Sequence, residues 1–561
     1  MTTESVNEKS LLRRTMGFWD VLLFNIAAVL GPRWIAAAAH NGTSSISLWV
    51  LAAVLFFLPT ALTIIELSTR FPAEGGLYVW SKEAFGDFHG FVAGWAYWIY
   101  TFFYFPGLLT ASVAMSVYIG GPKWGYLANN QHYLLWASLG LLAVAVVLNV
   151  IGLDIGKWLQ NAGGVATYVP LLMLVGIGLY LGLHRGSASH FDWRNSLPHW
   201  DWDTVNFWSN IAFAFTGMEL VCAMSEEVRE PRKTFPRAIY SSAALIAVIY
   251  IVATIALLGL LPAEKVDVRN GVFQAISGGS ALLGIAWFGV IAALLVTVGN
   301  AGGVGATVAG VARIPFVAGI DRYLPSFFGK IHPRWKTPWI SILIQAGISG
   351  AILVLTQMGI KSVIGAYQFL VSMSVILYFI PFLYMYAAVI KLSYRKDRAS
   401  PGAVLVPGGK AGAWFVGLLG FVITAGSMAL AGVPPGEEPD KLKFVALLVL
   451  TTVGFIGLGL IAYFWRRMSP FVKSLVFAAL GFAVAVVWLI ILTAARSMLA
   501  KYLLLRISIW ICLLSCPGLL LGLKPLIAAI LNAVTYGGIA YWLLKRKPVD
   551  TANRFISGHE V

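Results

Sequence analysis

An arginine lies deep inside the first long apolar stretch of this 561-residue chain. Arg33 follows Gly31 and Pro32, roughly 16 residues into the stretch, which is about 24 Å along a helix that rises 1.5 Å per residue. If the stretch crosses a bilayer, a charge at this depth costs at least about 2.5–3.5 kcal/mol and indicates a functional site. The guanidinium then needs an anion, either Glu219 or an acidic group on a ligand. A structural ion pair or an arginine that snorkels to the surface is the alternative.

The proline beside this arginine predicts a break in the helix. Pro32 has no backbone N–H and its ring collides with the carbonyl four residues earlier, so a helix must open near Ala28. In a bilayer such a break persists only where it is buried in protein or lines a watery cavity. The amides of residues 31–34, and those of residues 216–218 around Gly217, would then be free to bind a carboxylate or an amine. A simple kink is the alternative.

Two carboxylates and several polar or aromatic residues complete the candidate site. Glu219 is interpreted as a proton-coupling group, because a buried acid can exchange a proton in the physiological range, or as the structural partner of Arg33. Glu66 lies nearer the predicted inner surface and is assigned to an inner gate. For the aromatic and polar candidates, ordinary packing and hydrogen bonds across helices are the alternatives. The predicted ligand contacts are Asn25, Ala28, Val29, Leu30, Gly31, Arg33, Phe213, Phe215, Thr216, Gly217, Met218, Asn300, Thr307 and Tyr367.

The elements that must position these residues are membrane-spanning helices. With 59% hydrophobic and 11% charged residues, the composition is that of a polytopic membrane protein rather than a soluble domain. Apolar runs of about 20 residues, the length that crosses a bilayer, predict twelve spans, near residues 17–40, 47–69, 91–119, 133–152, 162–183, 204–226, 239–261, 283–312, 338–357, 362–390, 412–432 and 443–465.

The net charge of +16 follows from topology. With a cytoplasmic N-terminus, the inner loops and tails up to residue 473 carry 23 Lys and Arg residues and the outer loops carry 8. This asymmetry satisfies the positive-inside rule and removes the need for a nucleic-acid partner. We read the first apolar run as an uncleaved span rather than a secretory signal.

The chain after residue 470 is harder to place. The segments 472–495, 502–522 and 525–544 are all apolar, but fifteen spans would leave the basic residues 545–547 outside, against the charge rule. One of the last two is therefore predicted to be re-entrant or interfacial, with the break at Ser515-Cys516-Pro517-Gly518 as the favoured place. We interpret this part as an accessory membrane segment.

The sequence also argues against several other functions. Cys222, Cys512 and Cys516 lie in apolar segments without a metal-ligand array, so no zinc site or disulfide framework is predicted. The glycine-rich stretch 300–305 lacks the Lys-Ser/Thr and the strand–turn–helix context of a nucleotide loop, and close helix packing explains it better. No protease or hydrolase motif occurs in a plausible context. We therefore predict a protein that is not an enzyme and that uses no cofactor or metal.

Three groups of residues resemble the amino acid–polyamine–organocation permeases. Span 2 closes with a Pro-x-x-Gly-Gly-x-Tyr pattern, span 6 carries Phe-x-Gly-x-Glu and leads into Glu-Val-x-x-Pro-x-x-x-x-Pro, and span 8 ends with an arginine that precedes a Leu-Pro pair. The likeness covers residues 15–465. The matching residues are Pro72, Gly75, Gly76 and Tyr78, then Phe215, Gly217, Glu219, Glu227, Val228, Pro231 and Pro236, and finally Arg313, Leu324 and Pro325.

The resemblance implies an all-α fold with two inverted five-helix repeats, discontinuous spans 1 and 6, and two further spans. The stretch Val-Pro-Gly-Gly-Lys at 406–410 resembles the glutamate/GABA antiporter branch in particular. The chain departs from the family where Ala28-Val29-Leu30 replaces the usual Gly-Ser-Gly. Some members carry a lysine in span 5 in place of a sodium ion, but the corresponding residue in this chain is Thr167, so a mechanism that uses this lysine is not predicted. The predicted parts are a 1–14 tail, repeats at 15–200 and 201–400, spans 11 and 12 at 401–468, the accessory segment 469–547 and a 548–561 tail.

We therefore predict a secondary transporter of amino acids or related amines in the cytoplasmic membrane, working by exchange or proton coupling. Its partners would be a small-molecule substrate and the lipid bilayer, with a homo-oligomer left open. A sensor or scaffold that keeps the transporter fold without transport is the alternative. The sequence does not name the substrate, although Arg33 favours an acidic one.

Overall fold

The computed structural model describes most of the chain up to residue 465 and a few short pieces beyond it. The contacts between residues divide the chain into two units, Met1–Leu460 and Ile461–Val561. The predicted break at residues 515–518 and nearly all of the apolar tail lie outside the described residues. These residues are 14–192, 196–198, 202–268, 270–321, 323–359, 363–395, 401–434, 441–465, 468–469, 471–475, 478 and 534–536.

Helices account for the architecture of the described chain, and eleven of them are long and apolar enough to cross a membrane. They match the predicted spans except for the sixth, which is too interrupted to count as one helix. The helices of the spans, in order, are Phe18–Val29 with Pro32–His40, Ser44–Ala52 with a π-helical turn Ala53–Phe57 and Leu58–Arg70, Asp87–Ser116 with a 3-10 turn Val117–Gly120, Gln131–Ile151, Leu153–Arg185, Trp202–Ala214 with the 3-10 helix Leu220–Glu227, Pro231–Leu260, Trp287–Ile320, Trp339–Gly359, Val363–Leu392, Gly409–Ala431 and Lys441–Phe464.

Shorter helices lie in the connections between the spans. They are Leu77–Phe85 before span 3, the 3-10 helix Pro122–Asn129 before span 4, Ala263–Lys265 and Gly271–Leu282 before span 8, and Ser326–Gly329 before span 9.

Burial places span 1 at the centre of the helices. In the most apolar window of span 1, 83% of the residues are buried inside the protein, compared with 17% in span 12. A helix whose apolar residues stay exposed in the protein faces lipid, so span 12 lies at the periphery. The broken helix that carries Arg33 is therefore surrounded by protein on most sides.

The glycine-rich stretch of span 8 allows the close helix packing that the sequence predicted. A Cβ added to Gly303 would lie 2.7 Å from the carbonyl oxygen of Ala27 in span 1, and a Cβ on Gly163 in span 5 would lie 2.5 Å from the Cα of Gly302. Small residues at such places let helix backbones approach each other. Spans 1, 5 and 8 thus meet at backbone distance beside the break in span 1.

Candidate functional site

The first span is broken at the predicted residues. The helix ends at Val29, Leu30 and Gly31 are extended, and a second helix starts at Pro32. Because Pro32 has no N–H, the carbonyl of Ala28 loses its helical donor. The amide of Gly31 also leaves the helical pattern and donates to the hydroxyl of Tyr250 at 3.1 Å. The predicted break is confirmed, but the expectation that the Gly31 amide is free is wrong in this conformation.

Tyr250 of span 7 supports both breaks. Its hydroxyl lies 2.8 Å from the carbonyl oxygen of Val29 in span 1 and 3.2 Å from that of Ala214, the last helical residue before the break in span 6. The ring stacks on Trp49 at 4.3 Å between centroids. Tyr250 therefore satisfies a donor, the Gly31 amide, and an acceptor, the Val29 carbonyl, that the break leaves without helical partners, and it ties spans 1, 6 and 7 together.

The second break is built around a glycine that no other residue could replace without strain. Gly217 has a φ of +119°, outside the range of ordinary L residues. A Cβ there would lie 3.1 Å from Val29, so the two breaks face each other directly. The amide of Thr216 donates to the carbonyl of Phe213 at 3.0 Å, and the amide of Gly217 donates to the Glu219 carboxylate at 3.1 Å. These two amides, predicted to be free, are thus also bonded within the protein.

A small chamber lies between the two breaks, and we call it the central chamber. Its volume is about 10 Å³, room for about one water molecule. Three tyrosine rings form much of its wall, with backbone from both breaks. It is lined by Ala28, Val29, Trp34, Tyr100, Tyr104, Phe213, Thr216, Gly217, Leu220, Thr307 and Tyr378.

A second chamber lies against the same broken segment, and we call it the side chamber. Its volume is about 20 Å³. It shares Ala28, Val29, Trp34 and Tyr104 with the central chamber but adds Arg33 and Asn300. Its full lining is Ala27, Ala28, Val29, Leu30, Gly31, Arg33, Trp34, Tyr104, Leu108, Asn300 and Gly303.

Arg33 is buried in the wall of the side chamber. Its side chain is held between aromatic rings, with the guanidinium carbon 4.5 Å from the centre of the Trp34 ring and 5.3 Å from that of Tyr104. Its Nε is buried and has no hydrogen-bond partner among the residues that the structure describes. In the described part of the chain, no carboxylate lies within ion-pair distance of it. The alternative of an internal Arg33–Glu219 pair is therefore not what the structure forms.

Glu219 is held by neutral donors instead. Its Oε1 accepts hydrogen bonds from the hydroxyls of Tyr97, at 2.7 Å, and Tyr378, and its Oε2 accepts from the Gly217 amide. The carboxylate is 1% exposed. Tyr378 lines the central chamber, so Glu219 is one side chain away from that space.

The remaining predicted residues divide into those at the chambers and those outside them. Phe213, Thr216, Gly217 and Thr307 line the central chamber, and Leu30, Gly31, Arg33 and Asn300 line the side chamber, with Ala28 and Val29 in both. Five others do not line either chamber. Asn25 donates to Ser242 at 3.1 Å, and Met218 is buried against the same serine. Phe215 packs on the rings of Trp49, Phe57 and Tyr250, and Tyr367 lies in the wall of neither chamber. Glu66 forms an ion pair with Arg70 at 3.1 Å and accepts a hydrogen bond from the Val406 amide.

Sequence reasoning missed the tyrosines and the tryptophan of the chamber walls. Trp34 is adjacent to Arg33 and could have been included on that ground. Tyr100, Tyr104 and Tyr378 come from spans 3 and 10, and they are three of 21 tyrosines in the chain. No local signal separates them from packing residues.

A second charged cluster joins the three motifs that carry the family resemblance, and we call it the Arg313 cluster. Arg313 of span 8 donates to Glu227 at 2.7 and 2.8 Å, and its Nε lies 3.8 Å from Glu74. Glu74 also accepts from the amide of Glu226 at 3.1 Å. Burial raises the pKa of the Glu74 carboxyl well above its usual range, and the charge of Glu227 raises it further while Arg313 opposes the rise.

The backbone around this cluster is closed as well. Gly75 donates to the carbonyl of Ala223 at 3.0 Å, and a Cβ on Gly76, whose φ is +47°, would lie 3.1 Å from the Ala223 nitrogen. The chain before span 1 pairs with the end of span 6 through a bridge between Met16 and Val228. The ends of spans 1, 2, 6 and 8 are therefore fastened together on the side of the N-terminus.

The comparisons with known proteins agree with this architecture. A model of the amino acid permease family matches residues 16–456. An uncharacterised transporter of Legionella pneumophila is 28% identical over 436 residues, which are 77% of this chain and 92% of that protein. The serine/threonine exchanger SteT of Bacillus subtilis is 27% identical over 372 residues, 62% of this chain and 78% of the exchanger. A Lactococcus lactis protein named as a probable agmatine/putrescine antiporter, AguD, is 24% identical over 450 residues, 80% of this chain and 94% of that protein.

A solved structure shows the fold. The crystal structure of MhsT in complex with L-phenylalanine aligns with a TM-score of 0.54 over 74% of this chain and 98% of MhsT, at 14% sequence identity. This likeness, with the breaks in spans 1 and 6, confirms the predicted all-α membrane fold of two inverted repeats. The family match spans both breaks, the chambers and the Arg313 cluster, and so the chain belongs to the amino acid permease family.

Proposed function

We propose that this protein is a secondary transporter of amino acids in the cytoplasmic membrane that works by alternating access around spans 1 and 6. The observation that carries the proposal is that the breaks in these spans face each other, with Gly217 against Val29 and a chamber between them. Breaks in corresponding helices of two repeats place polar backbone at mid-membrane, where a transported solute binds.

The volumes of the chambers fit a contracted state of such a transporter. Room for about one water molecule in the central chamber does not admit an amino acid, so the helices around it must separate before a solute enters. The Arg313 cluster and the Met16–Val228 bridge close the side of the N-terminus. With the N-terminus in the cytoplasm, as the distribution of basic residues favours, these contacts would break when the transporter opens inward.

The charges beside the chambers favour amino acids over polyamines. A diamine requires acidic groups that remain available to it, but the Glu219 carboxylate is bonded by Tyr97, Tyr378 and Gly217. The charged side chain that lines the side chamber is the cation Arg33. A substrate that carries at least one carboxylate suits this environment better than a purely cationic one.

We assign proton coupling, if the transporter uses it, to Glu219. A buried carboxylate that is held by neutral donors can take up a proton without breaking an ion pair. Exchange without protons is the other mode, and the two modes differ in what drives uptake. A pH gradient drives the first, whereas a solute on the far side of the membrane drives the second.

Uptake of labelled amino acids into proteoliposomes tests the proposal. We expect uptake above that of protein-free liposomes for at least one amino acid. Stimulation by the same amino acid inside the vesicles would identify exchange, and abolition by a protonophore would identify proton coupling. Specific binding of an amino acid without any flux would reject transport and favour a sensor. The absence of both binding and flux across all amino acids would reject the proposed substrate class.

A further inference from the structure

We infer that the side chamber is a carboxylate-binding subsite and that the substrate is an amino acid with an acidic side chain, which binds Arg33. The inference rests on the proposed function, which it deepens by naming the substrate class. Three observations carry it: the guanidinium has no carboxylate partner in the described chain, the side chamber shares walls with the central chamber, and a second polar side chain lines the side chamber.

The guanidinium of Arg33 is a buried cation whose Nε has no hydrogen-bond partner in the described part of the chain. The residue is 5% exposed, so its charge has little contact with solvent. The rings of Trp34 and Tyr104 stabilise the positive charge through their faces. A carboxylate would supply both a negative charge and hydrogen-bond acceptors, since a guanidinium binds a carboxylate with two parallel hydrogen bonds.

The side chamber lies where a second group of the same ligand would reach. The two chambers share the backbone of Ala28 and Val29 and the side chains of Trp34 and Tyr104. A solute with its amino-acid group in the central chamber would need to extend only past these shared walls to contact Arg33. The length of an acidic side chain provides such an extension.

Asn300 of span 8 supplies a second polar group to the same space. It lines the side chamber, is 9% exposed, and its amide nitrogen lies 3.8 Å from the sulfur of Met115, a weak acceptor. The amide can therefore turn from this contact to donate a hydrogen bond to a carboxylate. Arg33 and Asn300 together form a subsite for a carboxylate. When a neutral side chain occupies this subsite, the buried cation stays unpaired, and neutral substrates are therefore disfavoured.

Paired acidic and neutral substrates test the inference. The probes are glutamate against glutamine and aspartate against asparagine, which differ in charge and little in size. In the wild-type protein we expect the acidic member of one pair to compete better for uptake. Arg33→Gln should lower kcat/KM for the acidic substrate by roughly 10- to 100-fold while changing that of its amide by much less. Arg33→Lys keeps the positive charge but loses the two parallel N–H donors of the guanidinium. Its kcat/KM for the acidic substrate should therefore lie between those of the wild type and Arg33→Gln.

A matched control separates this effect from a general loss of charge or of folding. Arg185→Gln removes an exposed arginine at the end of span 5, away from both chambers, and should leave the ratio between acidic and neutral substrates unchanged. The thermal stabilisation of purified protein by each probe gives a readout that needs no flux. Glutamate or aspartate should raise the unfolding temperature of the wild type and of Arg185→Gln, but not that of Arg33→Gln.

The outcomes distinguish this inference from the proposed function. If Arg33→Gln weakens acidic and neutral substrates equally, or if neutral substrates are preferred by the wild type, the subsite is overturned while transport stands. If acidic amino acids stabilise the protein through Arg33 but no flux occurs, transport is rejected and the subsite stands. Stabilisation by simple monocarboxylates as strongly as by amino acids would show an anion site that does not select an acidic amino acid, which also overturns the inference.

Discussion

Arg33 and Arg313 are both buried in the helical core, 5% and 1% exposed, yet their surroundings are opposite. Arg313 donates to Glu227 and lies near Glu74, so its charge is balanced by a protein carboxylate. Arg33 has aromatic rings around it and no carboxylate within ion-pair distance in the described chain. A third buried arginine, Arg70, resembles Arg313 because it pairs with Glu66.

The difference indicates two uses of a buried cation. A buried ion pair fastens the elements that contribute its members, since breaking it leaves a charge without compensation. Arg313 thereby fastens span 8 to the end of span 6 and to the loop after span 2. An arginine without an internal anion fastens nothing in this way. It remains available to a ligand, and the family motifs that include Arg313 do not include it.

The largest effect that the comparison predicts is on stability. Arg313→Gln should lower the free energy of unfolding by about 3–5 kcal/mol, because it leaves Glu227 and Glu74 buried beside each other without their cation. Arg33→Gln should change it by less than about 1 kcal/mol, because the lost cation–π contacts are offset by removal of an unpaired buried charge. Thermal unfolding of both variants in the same detergent measures the difference.

A double variant tests whether the loss comes from the ion pair. Adding Glu227→Gln to Arg313→Gln should restore part of the lost stability, since the remaining carboxylate no longer faces a second charge. If Arg33→Gln destabilises the protein as much as Arg313→Gln does, Arg33 is a structural residue and the distinction between the two arginines fails.

A smaller effect is expected from the residue that holds the Arg33 segment in place. Tyr250→Phe removes the hydroxyl that bonds Gly31 and Val29, leaving a buried donor and acceptor unsatisfied at a cost of about 1–3 kcal/mol. Because this loosens the whole break, kcat/KM for acidic and neutral substrates should fall together. This outcome contrasts with the selective loss expected for Arg33→Gln.

Uptake of the same pair of acidic and neutral substrates measures the effect of Tyr250→Phe, and Tyr384→Phe serves as the control. Tyr384 also has a bonded hydroxyl, 3.1 Å from His89, but it lies outside both chambers. If Tyr250→Phe lowered the uptake of the acidic substrate alone, the Tyr250 hydroxyl would position Arg33 itself. Support of the break and selection of acidic substrates could then not be assigned to different residues.

The contrast between Pro32 and Tyr250 shows how far the sequence could predict this site. Proline acts through its own ring and the carbonyl four residues earlier, so the break in span 1 was predictable from a few adjacent residues. The prediction that Arg33 lies deep in the membrane rests on counting along the same helix and stays a prediction. Tyr250 acts on backbone groups that lie 219 and 221 positions earlier in the chain, and nothing in the apolar sequence around it distinguishes it from a packing residue.

The same reasoning explains the wrong expectations. That the Gly31, Thr216 and Gly217 amides are free was inferred from the loss of helical partners, but the partners that replace them come from Tyr250, Phe213 and Glu219. Whether Arg33 reaches Glu219 depends on how two helices are rotated, which periodicity does not determine. Local chemistry could therefore locate the breaks, whereas the identity of the bonded groups required the tertiary structure.

The smallest predicted effect concerns the charge balance of the Arg313 cluster. Two carboxyls share one arginine there, and burial raises the pKa of Glu74 above its unfolded value of about 4.5. A raised folded-state pKa gives stability that is fully present below the unfolded pKa and lost as pH rises through the folded one. Glu74→Gln stays neutral, so the wild type should lose stability relative to this variant as pH rises above about 4.5.

Unfolding temperatures of the wild type and Glu74→Gln across a pH series measure this difference in slope. Glu83→Gln is the matched control, because Glu83 is exposed and pairs with Arg395 outside the cluster. Its pH dependence should follow that of the wild type. Parallel curves for all three proteins would show that Glu74 is ionised beside Arg313. The Arg313 cluster, with two ionised carboxylates and one arginine, would then carry a net negative charge. The surroundings of Arg33 carry an excess positive charge, so the two sites would differ in the sign of their charge as well as in whether the arginine has a carboxylate partner.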